Sequence, residues 1–216
     1  MVAHCAAVLA VSSTCRGVEI RNLRWQDVDF FNRTTAIRRS KTSAGHRTIP
    51  LNADAMAALT SLLERARILG SDQPEHYVFP TCEGQVIDPT RPQKGWRTAW
   101  RNLVRDTARR AGREAAREAL RSGQGLRNAI RAWKRVAAPF RGFRFHDLRH
   151  QAITEMAEAG ASDATVMAVA GHMSRKMMEH YSHVRMAAKR TVLEKLESGL
   201  MGAAPTANQN ALGSVN

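Results

Sequence analysis

The spacing of apolar and polar side chains predicts a largely helical chain. Residues 2–11 are almost all apolar, which predicts a buried helix, and apolar residues between Val18 and Trp25 are spaced for one helical face. Either Asn52 or Asp54 is expected to cap a third helix, because both side chains accept hydrogen bonds from free backbone N–H groups. Further helices are expected at about 95–122, 126–138, 146–159, 164–170, from about 175, and at 185–200.

The pattern changes to short strands between the second and third helices. Residues 27–31 alternate, 35–39 begin β-branched, and 47–51 alternate again after a Ser-Ala-Gly tip within 42–46. The expected fold class is therefore mainly α with a small three-stranded antiparallel β-sheet. The segment 70–92 is rich in proline and predicts a loop containing one short strand at 77–79.

The charge balance narrows the classes of partner. The chain has 216 residues, with 33 Lys and Arg against 19 Asp and Glu, and a formal net charge of +14. Between Arg97 and Arg149, 15 basic residues face only four acidic ones. A surface that needed only solubility would mix its signs more evenly, so we expect a polyanionic partner.

Other features exclude several classes of protein. The hydrophobic fraction of 44% argues against a wholly disordered chain, and no apolar run approaches the length of a membrane span. Three cysteines, Cys5, Cys15 and Cys82, are too few for a disulfide framework, so they are expected to be buried thiols of a reduced, cytoplasmic protein. Residues 201–216 are small and polar, which predicts a disordered tail.

Three segments contain side chains suited to attack on a phosphodiester without a metal. Two arginines can clamp the non-bridging oxygens, a lysine can protonate a departing oxygen, and histidines can donate hydrogen bonds or shuttle protons. A tyrosine can act as the nucleophile if a positive pocket or a base helps it to ionise. The candidates are Arg16, Lys41, His146, Arg149, His172 and Tyr181, with Glu19 as the expected partner of Arg16.

This set, in this order, resembles the tyrosine recombinase (phage integrase) family. The arginine segment is followed by Leu-x-Trp-x-Asp-Val-Asp, the lysine stands before Arg-x-x-Pro-Leu, and a His-x-x-Arg box spans 146–149. A Gly-His pair follows at 171–172, and Tyr181 lies nine residues beyond His172. The resemblance covers about residues 2–198, apart from an Arg/Ala-rich helical insertion at about 109–139 that is longer than usual for the family.

The resemblance implies a catalytic domain at 1–200 that cuts and rejoins double-stranded DNA. Tyr181 would form a 3′-phosphotyrosyl link that a 5′-hydroxyl later reverses, with no metal, ATP or other cofactor. It also implies a homo-oligomer of four protomers on paired sites, accessory DNA-bending proteins, and a final helix that docks on a neighbouring protomer. The family's N-terminal DNA-binding domain and the first helix of its catalytic domain are expected to be absent.

Several alternatives remain open at this stage. The chain could be a DNA-binding remnant without activity, or a type IB topoisomerase that relaxes supercoils with the same nucleophile. His146 and His150 are four residues apart and could form a metal pair, although Arg149 between them disfavours a cation. We interpret His180 as a surface or packing residue, and Trp96 and Trp100 as core residues rather than platforms for stacked bases.

Overall fold

The structure is a computed structural model that describes residues 1–38, 46–171 and, beyond them, 173, 177, 179, 181, 186, 190 and 193. Within these residues the fold is mainly helical, as the sequence predicts. The helices are Val2–Ser13 (α1), Gly17–Arg21 (α2), Ala53–Ile68 (α3), Arg97–Arg121 (α4), Leu126–Ala137 (α5), Asp147–Glu158 (α6) and Asp163–Ala170 (α7). The strands are Val28–Asp29 (β1), Thr34–Ile37 (β2), Arg47–Pro50 (β3), Pro80–Glu83 (β4) and Val86–Pro92 (β5).

The predicted three-stranded antiparallel sheet is confirmed. Its order is β1-β2-β3, and Thr35 pairs with both Val28 and Ile49. Ile37 and Ile49 lie on its buried face and pack into the main core. The predicted tip at 42–46 falls almost entirely outside the described residues.

A second sheet was missed by the sequence analysis. Strands β4 and β5 form an antiparallel hairpin where a loop was expected, with Gly84 and Gln85 at positive φ in the turn. The prolines in this segment led to its interpretation as a loop. An edge strand, however, tolerates proline at positions where no backbone N–H is needed for pairing. The short strand predicted at 77–79 is wrong: Tyr77 instead forms an isolated bridge with Arg24, and the Val78 N–H donates to the Leu23 carbonyl at 2.9 Å.

The structure settles the start of α3 and corrects the end of α2. The Asn52 side chain accepts a hydrogen bond from the Ala55 N–H at 2.9 Å, which settles the cap of α3. Helix α2 ends at Arg21, earlier than the Trp25 that was predicted. Trp25 begins a separate 3-10 turn, Trp25–Asp27. Its indole N–H donates to the Ser71 carbonyl at 3.1 Å.

The main core lies between α1, the three-stranded sheet and α3. Trp96 and Trp100 join it, which confirms their interpretation as core residues, and the Trp96 ring stacks on Phe145 at 5.3 Å between centroids. Cys5 and Cys15 are buried as predicted, whereas Cys82 is exposed because it lies on the hairpin that the sequence analysis missed.

Helices α4 and α5 form an antiparallel hairpin that contains the Arg/Ala-rich segment. Gly123, with φ of 77°, lies in the break between them, as the sequence predicts. A Cβ at Gly112 would lie 2.5 Å from the Trp133 indole nitrogen, so only glycine permits this close approach of the two helices. None of the described helices combines the length and the apolar character needed to cross a bilayer.

Candidate active site

Arg16 lies immediately before α2, where its position is fixed by Glu19. The Arg16 backbone N–H donates to Glu19 Oε2 at 2.8 Å, and its guanidinium Nη1 donates to Oε1 at 3.0 Å. The Glu19 side chain is 2% exposed, whereas that of Arg16 is 34% exposed. The pairing expected from the sequence is present, and it leaves part of the Arg16 guanidinium at the surface.

Arg47 also binds Glu19, and the sequence analysis missed it as a site residue. Its Nη1 and Nη2 donate to the two Glu19 oxygens at 3.1 and 2.9 Å, and its Nε donates to the Val169 carbonyl at 2.7 Å. The signal was available, because Arg47 and Ile49 are two residues apart on β3 and therefore share its inward face. An arginine on that face needs an acid, and Glu19 supplies it.

The electrostatics of Glu19 follow from this arrangement. Burial by itself would raise the pKa of the Glu19 carboxyl, but the hydrogen bonds and charges of Arg47 and Arg16 outweigh it. The pKa therefore lies below its ordinary value, and the carboxylate stays ionised at neutral pH.

Arg149 is the most deeply buried charged residue among those that the structure describes. It lies on α6 and is 1% exposed, and its Nη1 and Nη2 donate to the carbonyls of Thr14 and Ala170. Burial and then the charge of Arg16 lower its pKa to about 10, so the guanidinium stays protonated at neutral pH. Arg149 thereby joins the end of α1 to the end of α7.

His146 and His150 lie one turn apart at the start of α6. Their rings are nearly perpendicular, with centroids 4.8 Å apart. Burial, together with the nearby His150 and Arg149, lowers the pKa of His146, which favours its neutral form at pH 7. Among the described residues, no group of three or more His, Cys, Asp or Glu side chains is arranged to hold a metal.

Tyr181 is 3% exposed and packs in a small second core with Ile153, Val166 and Met173. Its hydroxyl oxygen lies 2.8 Å from His150 Nδ1. Burial raises the pKa of the Tyr181 hydroxyl, while the positive charge of Arg149 opposes the rise.

The structure thus brings together five of the seven residues singled out from the sequence: Arg16, Glu19, His146, Arg149 and Tyr181. The candidates Lys41 and His172, as well as His180, lie outside the described residues. Arg47 and His150 are the residues in this cluster that the candidate set omitted.

A family model described as the phage integrase family matches residues 1–188. The chain belongs to the phage integrase family. No curated protein matches the sequence significantly.

Solved structures share the fold of this phage integrase-family chain. The crystal structure of XerA recombinase has a TM-score of 0.54 and 19% identity, covering 87% of this chain and 54% of that chain. The Tn1549 transposon integrase in complex with transposon right end DNA has a TM-score of 0.53 and 18% identity, covering 89% and 58%. The same integrase with circular intermediate DNA has a TM-score of 0.53 and 17% identity, covering 89% and 59%. The chain therefore spans less than two thirds of each of these solved chains.

A basic groove of about 720 Å³ lies beside the site on this integrase-family chain, between α4, α5 and the segment before His146. Aromatic residues including Trp100, Trp133 and Phe143 line it, and no acidic side chain does. Seven cations also line it: Arg97, Arg101, Arg105, Arg109, Lys134, Arg141 and Arg144. Apolar atoms form most of the exposed lining, so the charged ends of these cations, rather than the floor of the groove, are the part that could contact a polyanion.

Proposed function

We propose that this chain is a tyrosine recombinase catalytic domain that cuts and rejoins duplex DNA in site-specific recombination. The observation that carries the proposal is the convergence of Tyr181 with Arg149, His146 and Arg16, in a chain of the phage integrase family. Independently of the family, a tyrosine near the buried Arg149, with Arg16 close to that arginine, suits phosphoryl transfer, because guanidiniums can stabilise the charge that develops on the phosphate.

In the proposed cleavage step, the Tyr181 oxygen attacks the scissile phosphorus as the bond to the 5′ oxygen breaks. The products are a 3′-phosphotyrosyl ester and a 5′-hydroxyl, and the leaving oxygen takes its proton from Lys41. Arg16 and Arg149 bind the non-bridging oxygens, while His146 and His172 donate hydrogen bonds to them. A 5′-hydroxyl then reverses the step, so one ester replaces another without an energy source.

The burial of the site sets a condition on this proposal. Arg149 donates two of its five N–H groups to backbone carbonyls, which leaves donors for a phosphate oxygen. However, Arg149 is 1% and Tyr181 3% exposed, so the side chains that cover them must be displaced when DNA binds.

The basic groove supports DNA as the partner. Its lining holds seven cations and no acidic side chain, although Arg105, Arg109 and Arg144 pair with carboxylates just outside it. The Tn1549 integrase, which shares the fold, has been solved with DNA. We further propose that a homo-oligomer assembles on paired DNA sites, as the family resemblance implies.

Covalent trapping tests the proposal. The chain is incubated with nicked duplexes tiled across the DNA that flanks its gene, denatured, and examined for a DNA-linked protein band. We expect a band that disappears in Tyr181→Phe and persists in Tyr77→Phe. Tyr77 is the matched control, because it is the only other tyrosine and its hydroxyl contacts Arg24 at 3.2 Å, away from the site.

The other outcomes separate the alternatives. Salt-sensitive DNA binding without any band contradicts catalysis by this chain and favours a DNA-binding remnant. A band accompanied by relaxation of supercoiled DNA, with no exchange of strands, favours a topoisomerase.

A further inference from the structure

The contact between Tyr181 and His150 is not explained by the residues that the family resemblance assigns. The resemblance gives the histidine role in the His-x-x-Arg box to His146. In the structure, however, the Tyr181 hydroxyl oxygen lies 2.8 Å from Nδ1 of His150, the residue directly after Arg149. His150 is one helical turn beyond His146, so both imidazoles project from the same face of α6.

The tyrosine needs a proton acceptor if it is to act as a nucleophile. A phenol is a weak nucleophile until its proton is removed, and the burial of Tyr181 raises the pKa of its hydroxyl further. The charge of Arg149 opposes that rise, but a guanidinium is a donor only and cannot take the proton. A neutral imidazole with its proton on Nε2 presents an unprotonated Nδ1, which can accept the hydroxyl hydrogen.

We propose that His150 is the proton acceptor for the Tyr181 hydroxyl during strand cleavage. This inference rests on the proposed function. As the Tyr181 oxygen forms its bond to phosphorus, the hydroxyl proton passes to His150 Nδ1 and the bond to the 5′ oxygen breaks. The departing oxygen is protonated by Lys41, and in the rejoining step the His150 imidazolium returns its proton to the released Tyr181 oxygen.

The groups around His150 come from its own helix, from Arg16 and from the two helices packed against α6. His146 and Arg149 flank it on α6, with Arg16 close enough to act on both of those residues. On the two helices packed against α6, the titratable side chains are His4 and Cys5 on α1 and Asp163 on α7. The helix also fixes the position of His150, since its carbonyl accepts the Thr154 hydroxyl at 3.0 Å.

Chemical rescue distinguishes proton transfer from a structural role. The rate of covalent complex formation on a nicked duplex is measured for His150→Ala, with and without added imidazole. We expect a loss of about 100-fold or more, since general base catalysis contributes about 10²–10⁴-fold. Imidazole that occupies the vacated space is expected to restore a substantial part of the rate, while the affinity for the duplex stays unchanged.

Two further variants keep the result interpretable. His150→Asn retains a hydrogen-bond acceptor near the position of Nδ1 but cannot take a proton, so we expect it to be as slow as His150→Ala. His76→Ala, in the loop that follows α3, removes a histidine away from the site and is expected to cleave at the wild-type rate. Cleavage by either His150 variant at or above the wild-type rate, or a slow His150→Ala that imidazole does not rescue, overturns the proposal.

A measurement without DNA separates this inference from the proposed function. Nitrogen-15 NMR of labelled histidine reports the protonation of each ring nitrogen, and the His150 signals are identified by their loss in His150→Asn. We expect an unprotonated Nδ1 at neutral pH whose chemical shift changes in Tyr181→Phe. A protonated Nδ1, or no change in that variant, contradicts the inference even if cleavage occurs. Absence of cleavage by the wild-type chain, with the expected NMR result, contradicts the proposed function instead.

Discussion

Two groups of arginines in this molecule differ in almost every physical respect. In the buried cluster, Arg149 is 1% exposed and the side chain of Arg47 is 7% exposed. Both arginines donate hydrogen bonds to backbone carbonyls, and Arg47 also binds Glu19. On the α4–α5 hairpin, the side chains of Arg105, Arg109 and Arg121 are 53%, 57% and 68% exposed, and their ion pairs are with acids on the same helix.

The difference shows which arginines the fold must hold in place. A buried charge without partners costs several kcal/mol, so the partners of Arg149 and Arg47 are part of the reason why this region has one structure. An exposed ion pair contributes only about 0–1 kcal/mol to stability. The hairpin arginines can therefore leave their acidic partners at little cost and neutralise phosphates. We therefore expect the first group to determine stability and chemistry, and the second to determine affinity.

Arg149→Lys should give the largest effect on stability. Lysine keeps the charge but has one nitrogen, so it cannot reach the carbonyls of both Thr14 and Ala170 with the geometry of the guanidinium. We expect the free energy of unfolding, measured by urea denaturation, to fall by about 2–4 kcal/mol, since hydrogen bonds to charged groups contribute about 1.5–3 kcal/mol each. Covalent trapping should fall as well.

The matched control for this variant is Arg144→Lys, because the Arg144 side chain is 83% exposed and contacts only Asp147, three residues further along the chain, among the ion pairs of the described residues. It should unfold as the wild type does. Equal stability of the Arg149→Lys and Arg144→Lys variants would contradict the comparison.

Glu19→Gln should have a smaller effect that depends on pH. The amide leaves Arg47 and Arg16 without their shared negative charge, and we expect a loss of about 1–3 kcal/mol at pH 7. The folded pKa of Glu19 lies below its unfolded value, so its stabilising contribution is fully present above about pH 4.3 and is lost as the pH falls through the folded pKa. The wild type and the variant should therefore converge in stability in strong acid.

Chemical denaturation at several pH values between 7 and 3 measures this difference. The control is Glu118→Gln, since the Glu118 side chain is 71% exposed and pairs only with Arg121 among the ion pairs of the described residues. A stability difference between wild type and Glu19→Gln that stayed constant down to pH 3 would contradict the role assigned to the Glu19 charge.

Much of the fold and part of the site could be predicted from sequence for a physical reason. Periodicity reports which face of an element is buried, so most helices of the described residues and the three-stranded sheet were accessible. Residue type limited the cap of α3 to Asn52 or Asp54, and the structure shows that it is Asn52. The pair Arg16 and Glu19 is local, three residues apart, and was predicted. Alternation along β3 places Arg47 on the inward face of that strand, but its partners, Glu19 at 28 positions and Val169 at 122, are not given by a local pattern.

His150 shows the same limit. Its spacing from His146 allowed a metal pair, which the intervening Arg149 disfavoured, and the sequence assigned His150 no other role because only spacing along one helix was visible. Its contact with Tyr181 joins residues 31 positions apart, which spacing along one helix does not show. Sequence spacing therefore located five members of the cluster but not Arg47 or His150, whose partners are distant in sequence and required the tertiary structure.

Arg101→Gln should give the smallest effect on stability and a clear effect on DNA binding. Arg101 is exposed on α4 and lines the basic groove, so its loss should change the free energy of unfolding by less than about 0.5 kcal/mol. If it neutralises one phosphate, the slope of log affinity against log salt should become shallower by about 0.9, while the rate of cleavage from the bound complex stays unchanged. Affinity is measured over a range of salt concentrations.

The control is Arg67→Gln, which changes an exposed arginine on α3 outside the groove and should keep the wild-type slope. Equal slopes for the two variants would mean that the groove does not contact DNA, and would leave the buried cluster as the only part of the comparison with a functional role.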